Sequence, residues 1–260
     1  MQLTSVDLFF WAGGLVAHVT LLIVLGARHR ITQFPLFTAM ILGSVIRTGA
    51  LYCAFRYGNK EQYGQIYWSL SFVDLALQLA VFFEVAWKTF RPLGRWAPDL
   101  RRGFRLLMAV CLTTAFGLTW LASPSTKTWI QMFIIKGDFF SAVLMCELFV
   151  GMIALSAVVG LPMKTHVARI VQGLGVYSLF DVVIEAGHSI FGLGYSTRVD
   201  VALSHARIAT YLVCLVYWNI TLWQEAPRPR ELPREMLEQI AVWQKRLAQT
   251  LRHTQRLESR

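Results

Sequence analysis

Seven long runs of apolar residues occupy more than half of the 260-residue chain. A helix that crosses the hydrocarbon core of a bilayer needs about 20 apolar residues, and the runs are 17 to 31 residues long. In chain order the runs are Leu8–Ala27, Phe34–Phe55, Tyr63–Trp87, Leu106–Ala122, Trp129–Val159, Val167–Leu193 and Val201–Trp223. They predict an all-α integral membrane protein, a bundle of seven spanning helices.

The composition agrees with a membrane protein and argues against other classes. Charged residues make up 15% of the chain, against about 25% in ordinary soluble domains, which excludes a disordered chain and disfavours a water-soluble enzyme. The sequence has no phosphate-binding loop, nucleophile elbow or His-Glu-x-x-His zinc motif, and its last apolar run has no lysine to hold retinal. The four cysteines lie in apolar runs without a C-x-x-C pair, so they predict neither a disulfide framework nor a zinc ribbon.

The distribution of basic residues predicts how the chain is oriented in the membrane. Most of the 25 Lys and Arg residues lie in the first, third and fifth loops and after the seventh run. The alternate loops hold only Arg56, Lys60, Lys127 and Arg198. Because cytoplasmic loops are enriched in Lys and Arg, we expect a multi-pass protein of the inner (plasma) membrane with its N-terminus outside and its C-terminus in the cytoplasm. Basic residues spread over several loops form no single basic face, so no nucleic-acid partner is predicted.

The chain divides into two predicted parts, a transmembrane domain over residues 1–226 and a basic cytoplasmic tail over residues 227–260. Prolines precede residues 231–260, which predict one amphipathic helix with a heptad-like stripe. The stripe consists of Met236, Ile240, Trp243, Leu247, Thr250, Thr254 and Leu257. Two interpretations stay open: the helix lies on the anionic leaflet of the lipid bilayer, or it pairs with a protein partner or with a second copy of the chain.

Ionisable residues inside the apolar runs are costly in a bilayer and therefore point to function. Counted from the predicted outer end of each run, most of them lie in the outer half of the membrane or at its middle. We expect an outward-facing polar cavity that binds a ligand through Arg47, Asp74, Asp138, Asp181, Glu185 and His188. Helical spacing supports this grouping, since Asp181, Glu185 and His188 stand four and three residues apart and share one face.

Three kinds of chemistry are open for this group of residues. The first is a set of buried ion pairs, such as Arg47 with Asp74 or with Asp181, that only order the bundle. The second is a ligand or proton site, with Arg47 as an anion clamp and the carboxylates as a relay. The third is a metal or haem site. Its candidate ligands are Glu185, His188 and His205. The sequence identifies no cofactor.

Few polar residues lie in the predicted inner half of the membrane. Glu84 stands four residues before Lys88, so a simple surface salt bridge explains it. Glu147 and Asn219 are the other candidates for a polar route. We therefore expect a receptor-like, sensory protein that binds a small polar ligand, a proton or a lipid headgroup and signals through its tail. The alternatives are a small-molecule or ion transporter or channel, which needs a complete polar route, and an accessory subunit of a membrane complex.

Four short segments in the first hundred residues carry a resemblance. In chain order they are Phe34-Pro35-Leu36-Phe37, Tyr67-Trp68, Glu84 and Phe90-Arg91-Pro92. In this order they resemble a set of uncharacterised bacterial membrane proteins with seven transmembrane helices, which implies the same helical membrane architecture. That set has no established activity, so the resemblance implies no ligand, cofactor or catalytic residue.

Overall fold

The computed structural model describes residues 5–90, 98–122, 128–159, 165–191 and 198–225. Within these residues the chain forms seven helices and no strand. They are α1 (Ser5–Ala27), α2 (Pro35–Tyr57), α3 (Lys60–Phe90), α4 (Pro98–Leu121), α5 (Trp129–Val159), α6 (His166–Phe191) and α7 (Arg198–Trp223). Five of these helices, namely α1, α2, α3, α6 and α7, are long and apolar enough to cross a membrane. The all-α prediction is confirmed, while the predicted tail over residues 227–260 lies outside the described residues.

The helices follow the apolar runs closely, with one marked difference at α4. This helix begins at Pro98 rather than at Leu106, and its described apolar part, Met108–Leu121, is shorter than a full span. The length of an apolar run reflects the thickness of the hydrocarbon core, whereas arginine is a good helix former in any surroundings. The helix therefore extends through the arginine-rich segment that precedes its apolar run.

Six of the helices form a closed ring. α1 packs against α2, α2 against α3, α3 against α5, α5 against α6, α6 against α7, and α7 against α1. α3 also touches α6, and α4 packs on α5 without being part of the ring. Successive helices alternate in direction, because the end of α1 meets the end of α7 and the end of α3 meets the start of α2. We call the end of the bundle at which α7 finishes the tail end, and the opposite end the head end.

The interior of the ring has two layers along the helix axes. The layer nearer the tail end is apolar, and its largest side chains are at most 1% exposed. These are Phe37, Phe82, Leu144, Leu215 and Trp218. Because lipid tails are as apolar as these side chains, the layer joins the helices by close packing rather than by exclusion of water. On every ring helix the polar residues described below lie on the head-end side of this apolar layer.

The close approach of α6 to α7 depends on a glycine. A Cβ atom added at Gly173 would clash with Nε1 of Trp218. The Trp218 indole is completely buried, and its Nε1 donates a hydrogen bond to the carbonyl of Arg169 at 3.2 Å. Small residues at a helix interface allow two backbones to come this close. Gly173 thereby sets the distance between the two helices on which half of the candidate site is built.

The start of α2 is capped from another helix. Phe34 at the N-cap position makes no side-chain capping hydrogen bond. Instead, Oε2 of Glu84 on α3 accepts hydrogen bonds from the backbone nitrogens of Leu36 and Phe37, at 3.1 and 3.0 Å. The expected Glu84–Lys88 salt bridge is present at 2.8 Å, but the Glu84 side chain is only 5% exposed and does not lie on the surface. The carboxylate at this helix N-terminus complements the helix dipole and fixes α2 against α3.

Candidate functional site

Each of the six ring helices contributes an ionisable side chain to the layer nearer the head end. In chain order they are His18, Arg47, Asp74, Asp138, Asp181 and Arg207. We call these six residues the polar cluster. The members of the polar cluster are close enough for their charges to interact. The charge of Asp138 interacts with those of Arg47, Asp74, Asp181 and Arg207, and His18 interacts with the charge of Asp74. The closed ring therefore brings together side chains that lie far apart in the sequence.

The first ion pair joins α2 to α3. Nη1 of Arg47 donates to Oδ2 of Asp74 at 2.8 Å, and Nη2 donates to Oγ of Ser71 at 3.1 Å. The guanidinium carbon also lies 5.6 Å from the ring centroid of Tyr67. Ser71 and Asp74 stand three residues apart on α3 and therefore present both acceptors on one face. This arrangement occupies two nitrogens of the Arg47 guanidinium.

A short hydrogen-bond chain continues from this ion pair to α5. Nε2 of Gln78 donates to Oδ2 of Asp74 at 3.3 Å, and Oγ of Ser141 donates to Oε1 of Gln78 at 3.2 Å. Ser141 is buried at the contact between α3 and α5. The stripe of Ser71, Asp74 and Gln78 on α3, at i, i+3 and i+7, thus makes polar contacts with two neighbouring helices.

The second ion pair joins α6 to α7. Nε of Arg207 lies 2.7 Å from Oδ1 of Asp181, and Nη2 donates to Oδ2 at 3.2 Å. Nε also donates to the hydroxyl of Tyr177 at 3.4 Å. Two parallel contacts between a guanidinium and a carboxylate give the strong, directional form of this interaction. Asp181 is therefore paired with Arg207, and not with Arg47 as one sequence interpretation allowed.

Asp138 on α5 lies between the two ion pairs. It is in range of the charges of Arg47 and Asp74 on one side and of Asp181 and Arg207 on the other. Within the described part of the chain it makes no hydrogen bond or ion pair of its own. Lys136, two residues earlier, is directed away from the cluster, with its Nζ 5.9 Å from the ring centroid of Trp120 on α4.

His18 closes the cluster between α1 and α7. Its Nε2 lies 2.9 Å from the hydroxyl of Tyr211, and its Nδ1 lies 2.7 Å from the carbonyl of Gly14. The Tyr211 ring packs against Tyr177, with 5.1 Å between the ring centroids. Both ring nitrogens of His18 are thus engaged within the protein, and the two tyrosines connect this histidine to the Arg207–Asp181 pair.

The remaining predicted site residues either lie away from the polar cluster or have side chains outside the described residues. Glu185 and His188 belong to α6, but their side chains fall outside the described residues, so their assignment to a ligand or metal site stays a prediction. The His205 ring stacks on Phe10 of α1, with 5.8 Å between ring centroids. Among the side chains that the structure describes, no group of three or more His, Cys, Asp or Glu residues is arranged to hold a metal ion.

Sequence reasoning did not assign His18, Arg207, Tyr177 or Tyr211 to the site. A signal for the last three is present, because Tyr177 stands four residues before Asp181, and Arg207 stands four residues before Tyr211. This spacing places the members of each pair on one helix face.

The charges of the polar cluster limit what it can bind. Two guanidinium groups face three carboxylates, and each guanidinium is already paired with one aspartate. When Asp138 is ionised, the cluster carries one surplus negative charge in a costly environment. A proton or a small cation at Asp138 balances this charge, whereas an anionic ligand would have to displace an aspartate from an arginine.

Protein-family models, curated proteins and solved structures were compared with this chain, and none of them matches it. Any inference about function therefore starts from the geometry of the polar cluster.

Proposed function

We propose that the chain is a receptor-like, sensory protein of the inner (plasma) membrane that spans the bilayer seven times, with its N-terminus outside and its tail in the cytoplasm. In this orientation the head end faces outward, and the polar cluster binds a proton or a small cationic ligand at Asp138. The observation that carries the proposal is the position of Asp138, a carboxylate placed between two arginine–aspartate pairs that belong to different helix pairs.

Neutralising Asp138 changes the balance between the two halves of the ring. While it is ionised, it attracts Arg47 and Arg207 towards α5. Once it is neutral, each arginine interacts with its own aspartate alone. The electrostatic attraction of α5 to α2–α3 and to α6–α7 then becomes weaker. Binding shifts the population between two arrangements of the bundle. Because α7 leads into the tail, the tail reports which arrangement is populated.

The apolar layer supports a receptor rather than a transporter. It lies between the polar cluster and the tail end on every ring helix, and its central side chains are fully buried. Two of the three polar candidates for an inner route have structural partners: Glu84 caps α2, and Nδ2 of Asn219 donates to the carbonyls of Ala17 and Leu215.

The experiment compares the wild-type chain with Asp138→Asn in lipid nanodiscs, over a pH series and with a panel of small amines. The readouts are the thermal midpoint of unfolding and the rate at which trypsin cleaves the arginine-rich tail. We expect both readouts of the wild type to change with pH or with an added amine. Both readouts of Asp138→Asn should stay constant, because its side chain at this position is already neutral. Lys136→Gln, on the same helix but directed towards α4, is the matched control. A variant at Asp138 that responds like the wild type would overturn the proposal.

The orientation has its own test. A tag fused after Arg260 should react with a membrane-impermeant reagent only after the cells are permeabilised. Reaction of this tag from the periplasm of intact cells would contradict a cytoplasmic tail and, with it, signalling to a cytoplasmic partner.

A transporter remains the second candidate because of one observation in the inner half. Oε2 of Glu147 is buried and has no hydrogen-bond partner within the described residues, next to the thiol of Cys111 on α4. Flux of an ion or amine into proteoliposomes that is abolished by both Asp138→Asn and Glu147→Gln would favour transport. Stable co-purification of other chains through residues 231–260 in mild detergent would instead favour an accessory subunit.

A further inference from the structure

A second group of ionisable side chains lies at the tail end, on the opposite side of the apolar layer from the polar cluster. It consists of Arg28 and Arg30, between α1 and α2, and of His166 and Arg169, on the first turn of α6. We call these four residues the basic cluster. The positive charges of the three arginines bear on one another, since Arg30 is in range of Arg28 and Arg169, and the charges of Arg30 and Arg169 also act on the His166 ring.

The backbone fixes the position of Arg30 in this cluster. His29 adopts a left-handed conformation with φ 52°, its nitrogen donates to the carbonyl of Gly26 at 3.0 Å, and the nitrogen of Arg30 donates to the carbonyl of Leu25 at 2.8 Å. These two hydrogen bonds are those of a Schellman motif, which ends a helix with a sharp reversal. The reversal directs Arg30 towards the end of α7 instead of into solvent.

Part of the basic cluster has a structural task. Nη2 of Arg30 donates to the carbonyl of Gln224 at 2.8 Å, and Nη1 of Arg169 donates to the carbonyl of Thr221. The guanidinium of Arg28 lies 4.5 Å from the ring centroid of Trp223. These contacts satisfy carbonyls at the end of α7 and place positive charge at the negative end of its dipole.

Several nitrogen atoms of the basic cluster take no part in these contacts with the end of α7. Nε of Arg28, Nη1 of Arg30 and Nδ1 of His166 are buried and have no hydrogen-bond partner within the described residues. Arg30 as a whole is only 6% exposed. A buried donor without an acceptor costs free energy, and more so when it belongs to a charged group. Two such arginine nitrogens, with the unpartnered Nδ1 of His166 beside them, indicate that an acceptor beyond the described residues completes the site.

The charge balance points to an anionic acceptor. No carboxylate within the described part of the chain lies at ion-pair distance from the basic cluster, and Glu225, whose charge does bear on Arg30, is exposed. Burial, together with the charges of Arg28 and Arg169, lowers the pKa of the Arg30 guanidinium, so the charged form carries an electrostatic cost that a bound anion would relieve. In the polar cluster, aspartates balance the charges of the arginines, whereas the basic cluster contains no aspartate.

We propose that the basic cluster is a binding site for a phosphate group at the tail end of the bundle. Arginine forks match phosphate oxygens in geometry and charge, and the unused nitrogens of Arg28 and Arg30 supply the donors. The phosphate belongs either to the headgroup of an anionic phospholipid or to a soluble phosphate compound. This site is independent of the proposed sensory function of the polar cluster and lies at the other end of the molecule.

The test measures the thermal midpoint of the purified full chain in detergent. One series adds inorganic phosphate, compared with sodium chloride at matched ionic strength; the other adds mixed micelles of phosphatidylglycerol, compared with phosphatidylcholine. We expect a saturable rise in the midpoint with phosphate or with phosphatidylglycerol. Arg28→Gln should weaken the apparent affinity about tenfold, whereas Arg56→Gln, an exposed arginine at the head end, should leave it unchanged.

Arg28→Gln decides the test because it leaves both carbonyl hydrogen bonds to α7 in place, whereas Arg30→Gln removes one and endangers folding. A response to phosphatidylglycerol alone identifies the lipid as the source of the phosphate, and a response to inorganic phosphate identifies a soluble compound. No response beyond that of sodium chloride and phosphatidylcholine would overturn the proposal, as would equal affinities for the Arg28→Gln and Arg56→Gln variants.

Discussion

In the polar cluster, Arg47 and Arg207 each face an aspartate, at 2.8 and 2.7 Å. In the basic cluster, Arg169 donates instead to a backbone carbonyl in the last turn of α7, and Arg30 donates to the carbonyl of Gln224, directly after α7. Partial charges on carbonyls neutralise an arginine less than a carboxylate does. The polar cluster is therefore almost balanced within the protein, while the basic cluster retains surplus charge. We therefore expect the stability of the bundle to depend on arginine–aspartate pairs at the head end, and on the concentration of salts and anions at the tail end.

The largest effect is expected from removing one partner of an internal pair. Asp181→Ala leaves Arg207 without its carboxylate, and we expect a loss of about 3 kcal/mol in the free energy of unfolding. The double variant Asp181→Ala, Arg207→Ala should recover much of this loss, because no unpaired charge remains. Titration with SDS in mixed micelles measures the free energy of unfolding of the single and the double variant. Equal losses in the single and double variants would show that the ion pair is not what makes Asp181 important.

The next effect concerns the contact that lies between the two clusters. In Gly173→Ala the new methyl group meets the Trp218 indole, which cannot move because it is fully buried. We expect a loss of about 1–3 kcal/mol, the usual cost of overpacking, by the same SDS titration. Gly151→Ala is the matched control, since a Cβ there meets nothing within 4 Å. If Gly173→Ala is as stable as the control, α6 and α7 are not held together by this contact.

A smaller effect is expected at Glu84, a tail-end carboxylate with partners inside the protein. Glu84→Gln keeps an acceptor for the nitrogens of Leu36 and Phe37 but loses the charge at the start of α2 and the pairing with Lys88. We expect a loss of about 1 kcal/mol, measured as a lower thermal midpoint. Glu61→Gln, an exposed glutamate on the first turn of α3, should change the midpoint little. The prediction fails if the two variants are indistinguishable.

The smallest effect is the response to salt. Raising sodium chloride from low concentration to about 0.15 M shortens the Debye length to about 8 Å and screens the repulsion within the basic cluster. We expect the wild type to gain up to about 1 kcal/mol of stability, and Arg28→Gln to gain less because one repelling charge is gone. Thermal midpoints across a salt series measure the difference. A salt response that is the same in both proteins would place its origin outside the basic cluster.

The helices were predictable from the sequence because each one covers most of an apolar run. α5 begins at Trp129 and ends at Val159, as predicted. The pairing of Arg47 was one of two alternatives, and only the order of helices in the ring decides between them: α2 packs on α3 and not on α6. A sequence shows which residues share a helix face, but the neighbour of that face is set by how the helices pack.

The double role of Glu84 was hidden for the same reason. Its spacing from Lys88 is local and visible, whereas its contact with Leu36 and Phe37 joins positions almost fifty residues apart, at separations of 48 and 47. The left-handed turn at His29 was equally unpredictable, because glycine, rather than histidine, is the usual residue there. Both features depend on tertiary packing that no local pattern encodes.

The closed ring has a consequence for how the protein is made. The partners in the two arginine–aspartate pairs are separated by only 27 and 26 residues and belong to successive helices, so each hairpin can enter the bilayer with its charge already compensated. His18 and Tyr211, by contrast, are 193 residues apart. The contact between α1 and α7 can therefore form only after the last helix has been synthesised, and it closes the ring.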